Sequence, residues 1–232
     1  MEVMTIQYNK MQGWSQSFPD WDSDKTLVLI FGASSFRHVP EPFEQLSDAF
    51  HKACIIGCST AGEIFDSTVS DDTLSVAIIR FANTHLKLMT VNCLSGTASY
   101  ISGYSISQTA IAPDLRGLFI LSDGLTVNGS ELAAGMNIVL HPSVVVTGGL
   151  AGDGTRFGET WVIKDGKPQT GFITAVGFYG DSIQIRHGSK GGWDAYGPQI
   201  KVTGAYGNRL YSLEDKSALD LYKSYLGDQA AE

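Results

Sequence analysis

The segment GCSTAGEIF places several groups that could bind or react with a ligand directly after an apolar run. They are a thiol, two hydroxyls, a flexible glycine and a carboxylate, on Cys58, Ser59, Thr60, Gly62 and Glu63. Glycine permits backbone conformations that a Cβ would block, which leaves main-chain N–H groups open to a ligand. Glu63 would hold an ammonium group or position a water molecule. A tight connection whose hydroxyls bond only to the local backbone is the alternative interpretation.

Two further segments, GGLAGDGTRFG and SDG, carry similar groups. The first is not a standard phosphate loop, because neither G-x-G-x-x-G nor G-x-x-x-x-G-K-[ST] is present, and a structural turn is the alternative interpretation. The second ends the apolar strand LFIL, where open α/β sheets place ligand contacts, although an Asx turn or a helix cap gives the same pattern. The residues that we expect to contact a ligand here are Ser122, Asp123, Gly124, Gly149, Gly152 and Asp153.

A catalytic interpretation takes Cys58 or Ser59 as a nucleophile and Glu63 as the acid/base. It ranks last, because no histidine lies near these residues in the sequence and the G-x-S-x-G elbow is absent. Cys54 and Cys58 lack a second thiol pair or an H-x₃-H partner, so zinc is not expected. The sequence therefore favours binding over catalysis.

Five histidines are scattered along the chain, and each is more typical of a surface or capping residue than of a ligand. If haem is bound, His187 is the preferred iron ligand, because it closes a predicted strand before GSKGGWDAYGP. Trp193 and Tyr196 would then lie at the haem edge, with a packed aromatic corner as the alternative.

The elements that must position these residues recur in the same order. Apolar spacing predicts a strand, a helix, a strand and a hairpin at 27–31, 41–52, 54–57 and 74–92. A strand, a helix and a strand follow at 118–121, 129–140 and 144–147, with further strands at 160–163, 172–179 and 183–187. We expect 172–187 to form a second hairpin. Both hairpin connections are shorter than the dozen residues of a parallel crossover, so an all-parallel sheet is disfavoured.

This recurrence predicts an internal duplication. Leu27 to Gly57 and Leu118 to Gly148 are each 30 positions apart, at a constant offset of 91, and each copy continues into an Ala-Gly-acid turn. Chance similarity of short glycine turns is the alternative. In a duplicated fold the two turns would approach each other across a pseudo-twofold axis, with a ligand pocket between them.

We therefore expect an α/β fold with mixed, largely antiparallel sheets and flanking helices. Its two similar halves would be about 25–110 and 111–215, with a layered sandwich as one arrangement.

Composition narrows the class of protein. The 232 residues carry 16 Lys+Arg and 24 Asp+Glu, and the net charge of −8 disfavours nucleic acid as a partner. The hydrophobic fraction of 43% indicates a folded interior. The N-terminal segment has no signal-peptide pattern, and no apolar run is long enough to span a membrane. Three cysteines are too few for a disulfide framework, so we expect a cytoplasmic protein.

The order of GCSTAGE, SDGL, GGLAGDG and the tail from GGWDAYGP to LYKSYLGD resembles the FIST family of intracellular signal-transduction sensory domains. The resemblance covers about residues 25–228. It implies an irregular leader at 1–24, an N-terminal FIST sensory domain at 25–215, and the start of a truncated or missing C-terminal FIST domain at 216–232.

The resemblance also implies a non-catalytic sensor of a small ligand, for which amino acids have been proposed. Output would go through a separate signalling protein, such as a histidine kinase or a cyclic-di-nucleotide enzyme. A haem-binding nitric-oxide sensor that regulates such enzymes, as in some bacterial relatives, is the alternative. On the first hypothesis Glu63 and Asp153 would face the ammonium group of the ligand.

Overall fold

A computed structural model describes residues 1–188, 190–192, 194–195, 197–207 and 209–227. The chain divides into two compact units, Met1–His187 and Gly188–Glu232. None of the described helices is long and apolar enough to cross a membrane. The sensory-domain boundaries at 25 and 215 stay predictions.

The first unit contains thirteen labelled strands and three α-helices among its described residues. In chain order they are β1 (Glu2–Asn9), β2 (Gly13–Trp14), β3 (Thr26–Ala33), α1 (Glu41–Ala49), β4 (Cys54–Thr60), β5 (Glu63–Phe65), β6 (Thr68–Ser70), β7 (Thr73–Arg80), β8 (His85–Asn92), α2 (Ser99–Ala110), β9 (Leu115–Ser122), α3 (Gly129–Asn137), β10 (Val145–Leu150), β11 (Val162–Lys164), β12 (Lys167–Gln169) and β13 (Phe172–Tyr179). Short 3₁₀ helices lie at Ser34–His38 and Gly96–Ala98.

The first sheet has seven strands in the order β12-β11-β4-β3-β7-β1-β2. Strands β3 and β4 are parallel and are joined through α1, while β7 runs antiparallel to both β3 and β1. Strand β3 is apolar on both faces, as expected of a strand that is covered on both sides. Val28 and Ile30 belong to the core on the α1 side, whereas Leu27 belongs to a core shared with the second sheet.

The second sheet has four strands in the order β10-β9-β13-β8. Its outer face packs against α2 and α3 through residues such as Ile106 and Leu132, and its inner face contributes Leu121 and Val176 to the shared core. The layers are therefore α1 with N-terminal aromatic residues, the first sheet, the second sheet, and α2 with α3. The expected α/β fold of mixed, largely antiparallel sheets with flanking helices is confirmed, in a layered arrangement.

The two sheets share one topology. The order β4-β3-β7-β1 in the first matches β10-β9-β13-β8 in the second, with the same parallel and antiparallel pairings. The matched regions are 2–80 and 85–179, because β8 and α2 belong to the second sheet. The expected boundary between halves at 110 is therefore wrong, and a common origin of the two regions stays a prediction.

Both predicted long hairpins are wrong. Strands β7 and β8 follow each other but join different sheets, β7 between β3 and β1 and β8 beside β13. Residues 183–187 form no strand, and Ile183 and Ile185 instead pack against the core between the sheets. Alternating apolar residues fit any half-buried segment, so the pattern did not reveal which partner each segment has.

The expected irregular leader at 1–24 is also wrong. Strand β1 pairs with β7 along its whole length, and Ile6 and Tyr8 are buried in the first core. After β2, the connection to β3 packs Phe18 and Trp21 against the same core. The N-terminal residues are thus an integral part of the first sheet.

The second unit contains β14 (Val202–Tyr206), β15 (Arg209–Leu213), β16 (Lys216–Ser217) and α4 (Ala218–Leu226). The three strands form an antiparallel sheet. The hydroxyl of Ser217 caps α4 by accepting a hydrogen bond from the main-chain N–H of Asp220 over 3.3 Å.

Candidate functional site

The two Ala-Gly-acid turns lie against each other at the carboxyl ends of β4 and β10. The main-chain N–H of Gly152 donates to the carbonyl of Ser59 over 2.8 Å. A Cβ at Gly152 would lie 3.4 Å from the nitrogen of Ala61, which is van der Waals contact between the two turns. The approach of these two turns, expected from the repeated pattern, is present in the structure.

A cavity of about 340 Å³ opens beside the turns. It is lined by the end of β3, the turn after β4, the acids before β7 and the loop after β10, namely Ala33, 60–63, Asp71, Asp72 and 153–156. Four carboxylates and one guanidinium are among these side chains. The described lining is therefore mainly acidic, which favours positively charged groups.

Glu63 is one of the two buried acids of the described cavity lining, together with Asp153. Its Oε1 accepts a hydrogen bond from Thr60 Oγ1 over 2.7 Å, and its Oε2 accepts from the main-chain N–H and the hydroxyl of Thr73, each over 3.2 Å. Burial raises the pKa of Glu63, and the nearby charge of Asp71 raises it further, while the hydrogen bonds act in the opposite direction. A cation beside Glu63 would compensate for the burial of its charge.

Asp153 anchors the loop that follows β10. Its Oδ1 accepts hydrogen bonds from Ser34 Oγ and from Arg156 Nε, the latter over 2.9 Å, and its Oδ2 accepts from the main-chain N–H groups of Gly158 and Glu159 over 3.0 and 2.9 Å. Burial acts to raise the pKa of Asp153, but these donors outweigh it and lower the pKa to about 2. Asp153 is thus already paired and holds the loop in place.

Arg156 is the cation of the described lining. It donates through Nε to Asp153 and through Nη2 to Ser34 Oγ over 2.7 Å, while 59% of its side chain stays exposed. Within the described residues no acceptor contacts its Nη1. The guanidinium is therefore held in position with donor capacity left for a ligand carboxylate.

Cys58 and Ser59 lie behind the cavity on β4 and do not line it. Burial raises the pKa of the Cys58 thiol to about 12, so the reactive thiolate is scarce at neutral pH. Ser59 is fully buried, and its hydroxyl accepts a hydrogen bond from the main-chain N–H of Trp161 over 3.1 Å. Neither side chain is placed to attack a ligand in the cavity.

The residues expected after β9 hold a turn outside the cavity. Asp123 accepts hydrogen bonds from the main-chain N–H groups of Leu125 and Thr126 over 2.9 Å each, and from that of Gly171 over 3.0 Å. Ser122 and Gly124 flank it, and a Cβ at Gly124 would lie 1.9 Å from the carbonyl oxygen of Ala151. This segment therefore forms an Asx turn, which is the alternative interpretation given by the sequence.

The remaining expected residues divide between the cavity and its surroundings. Thr60, Gly62, Glu63 and Asp153 line the cavity, whereas Gly152 joins the two turns behind it and Gly149 is exposed on β10. Their roles in binding stay predictions.

The haem alternative stays a prediction, and no histidine is among the described lining of the cavity. All five histidines are exposed, including His187 at the end of the first unit. The mainly acidic cavity would repel haem propionates. Trp193 and Tyr196, which were expected at a haem edge, lie outside the described residues.

Sequence reasoning did not select Asp71, Asp72, Arg156 or Ser34. Asp71 and Asp72 precede β7 beyond a short hairpin, and Ser34 follows β3 more than a hundred residues before its partner Asp153. Arg156 stands within GGLAGDGTRFG, and its basic charge next to an expected ligand turn was the one local signal available.

Two matched sheets, with paired glycine turns and a cavity at their junction, define a layered α/β domain that has space for a small ligand. Residues 26–216 match the FIST N domain, so the chain belongs to the FIST N-domain family, a family of signal-transduction sensory domains. The family implies binding of a small ligand and a signalling partner. No curated protein matches the chain.

Proposed function

We propose that this domain is a non-catalytic sensor whose cavity binds a small zwitterionic amine, with an α-amino acid as the simplest example. One observation carries this proposal: the cavity is lined by the turns after β4 and β10, one from each sheet, and its lining combines Glu63, Asp71 and Asp72 of the first region with Arg156 of the second.

The charges of the cavity lining would bind the two charged groups of the ligand at two different places. Its ammonium group would lie between Glu63 and Asp71, where the buried carboxylate gains a compensating cation. Its carboxylate would accept from Arg156, which Asp153 and Ser34 hold in place. The cavity volume of about 340 Å³ suits a small metabolite, because ligand pockets span roughly 300–1,000 Å³.

A ligand in this position would touch both sheets, which provides a route for signalling. It would shift the protein between two arrangements of the turns if it binds one of them more tightly. A coupling of about 1–3 kcal/mol is typical of such responses. We place the output in a separate signalling protein, such as a histidine kinase or a cyclic-di-nucleotide enzyme, in the cytoplasm.

A ligand screen tests this function. Isothermal titration and thermal shift would compare α-amino acids with matched amines that lack the carboxylate and with carboxylic acids that lack the amine. We expect at least one amino acid to bind and both kinds of truncated analogue to bind at least roughly tenfold more weakly, about 1.4 kcal/mol.

Matched variants locate the site. Glu63→Gln and Asp71→Asn should each weaken amino-acid binding at least roughly tenfold, because each removes charge beside the ammonium group. Asp66→Asn is the control, since Asp66 is an exposed acid between β5 and β6 outside the described lining. Equal affinity in Glu63→Gln and the wild type, or binding of only the amines or only the acids, would reject the proposed site.

A further inference from the structure

The outer edge of β10 differs from the other three outer edges of the two large sheets. Exposed edges invite pairing with other chains, and proteins protect them with short strands, charges or proline. The first sheet ends at β2, which has two residues, and at β12, which contains Lys167 and Pro168. The second sheet ends on one side at β8, which contains Lys87.

Strand β10 has none of these protections. Its sequence, Val-Val-Thr-Gly-Gly-Leu, contains no charge and no proline over six residues. Within the described residues β10 pairs with β9 alone, and Gly149 and Leu150 are exposed, with Leu150 at 50%. An apolar, uncharged edge of this length is a site for adding a strand.

In the first sheet, the outer edge of the corresponding strand is covered by another strand. Strand β4 has the position of β10 in the common topology, and β11 pairs antiparallel with its outer edge, with Val162 opposite Cys58. The carbonyl of Trp161 also accepts a hydrogen bond from the main-chain N–H of Ser59 over 2.9 Å. The topology thus accommodates an antiparallel strand at this position.

We propose that the β10 edge is a dimer interface at which it pairs antiparallel with β10 of a second copy. Two copies of an uncharged strand can pair without bringing like charges together. A dimer with a twofold axis also uses the same single surface on both copies. With the twofold axis through Gly148, the half-exposed Leu150 of one copy would lie opposite Val146 of the other. The second sheets of the two copies would then form one continuous sheet.

Gly149→Lys with Gly149→Ala as its matched control tests the interface. A Cβ at Gly149 meets no atom within 4 Å, so either side chain fits the single chain. Sedimentation equilibrium would follow the mass over a roughly hundredfold range of concentration. We expect the wild type and Gly149→Ala to reach the mass of two chains, and Gly149→Lys to dissociate at least roughly tenfold more readily, because its charge lies beside an apolar partner strand.

Hydrogen exchange identifies the surface independently of these variants. Outward-facing amides of β10 should exchange faster as the wild type is diluted, while those of β8 should not change. A wild type with the mass of one chain at all concentrations would overturn the proposal, as would undiminished dimerisation of Gly149→Lys. Concentration-independent protection of β10 in a single chain would mean that another strand covers the edge, which would also overturn it.

Discussion

The regions 2–80 and 85–179 build the same four-stranded arrangement but use the hairpin after their parallel strands differently. After β4, the hairpin β5–β6 forms its own two-stranded sheet, in which Ile64 and Val69 are exposed. After β10, the hairpin β11–β12 joins the edge of the other sheet at β4. The cavity lies where the two regions differ, between the start of the separate hairpin β5–β6 and the loop that leads to the hairpin β11–β12.

The two turn acids differ in the same way. Asp153 is saturated by donors from both regions, including Ser34, and serves as an anchor. Among the described residues, Glu63 accepts hydrogen bonds only within its own region, from Thr60 and Thr73, and it lies in an acidic surrounding. The turn acid of the second region thus holds a loop in place, whereas that of the first region lies at the cavity among other acids.

The substitution with the largest expected effect tests whether the second region completes the core between α1 and the first sheet. Trp161, just before β11, is fully buried there, with its ring 5.6 Å from that of Phe43 and its Nε1 donating to the carbonyl of Ala33. Trp161→Ala should lower the free energy of unfolding by about 3–5 kcal/mol, measured by denaturant titration. Trp14→Ala removes a half-buried tryptophan of the first region and should cost less. Equal losses would contradict a special role for the joined hairpin.

The two turn acids should have opposite pH dependence. The pKa of Asp153 is lowered from 3.8 to about 2 by folding, so its stabilisation is complete above its unfolded pKa and is lost as the pH falls through about 2. The pKa of Glu63 is raised above 4.5, so its stabilisation is present below its unfolded pKa and is lost as the pH rises through its folded pKa.

Two variants measure this difference. Asp153→Asn should lose about 1.5–3 kcal/mol near neutral pH, because hydrogen bonds to a charged group are lost, and the loss should shrink as the pH falls toward 2. Glu63→Gln should gain stability relative to the wild type as the pH rises. The check is the free energy of unfolding of each protein across the acid range, and slopes of the same sign would contradict the separate roles.

A third difference lies in the segment after the first strand of each region. In the first region, β1 is followed by a connection that is rich in aromatic residues. In the second region, β8 is followed by helix α2, which packs closely on α3. A Cβ at Gly135 would lie 2.0 Å from the carbonyl oxygen of Tyr100, so Gly135→Ala should cost about 1–3 kcal/mol by overpacking. The control is Gly96→Ala, where the nearest contact would be an ordinary 3.7 Å. Equal melting temperatures for the two variants would show that the helices separate at little cost.

The sequence predicted the helices and strands whose local apolar patterns are strong. The apolar runs of β3 and β9 and the spacing of α1 and α3 predicted these elements. Helix α2 was missed, because its serines, threonine and glycine are weak helix formers and its buried face is largely small residues. Strand partners were missed wherever alternation was the only signal, as in β7 and β8.

The cavity was predictable only in part. The repeated Ala-Gly-acid pattern indicated that two turns would meet, and Glu63 and Asp153 do line a common space. Asp71 and Ser34 depend on how β7 and β3 lie beside those turns, which local spacing does not encode. The distinction between the saturated Asp153 and Glu63 likewise arises from donors that are distant in the sequence.

The smallest expected effect concerns the ion pairs that join the two regions at the surface. Glu159, in the loop after β10, contacts Arg37 and His38 of the 3₁₀ helix after β3, and about a third of the side chains of Glu159 and Arg37 is exposed. Glu159→Gln should cost at most about 1 kcal/mol, since exposed ion pairs contribute little, and salt should reduce the difference. Glu2→Gln, which breaks the pair with Arg80 inside the first region, is the control and should behave alike. A much larger loss for Glu159→Gln would mean that surface charges, rather than the buried Trp161 and Asp153, hold the regions together at the cavity.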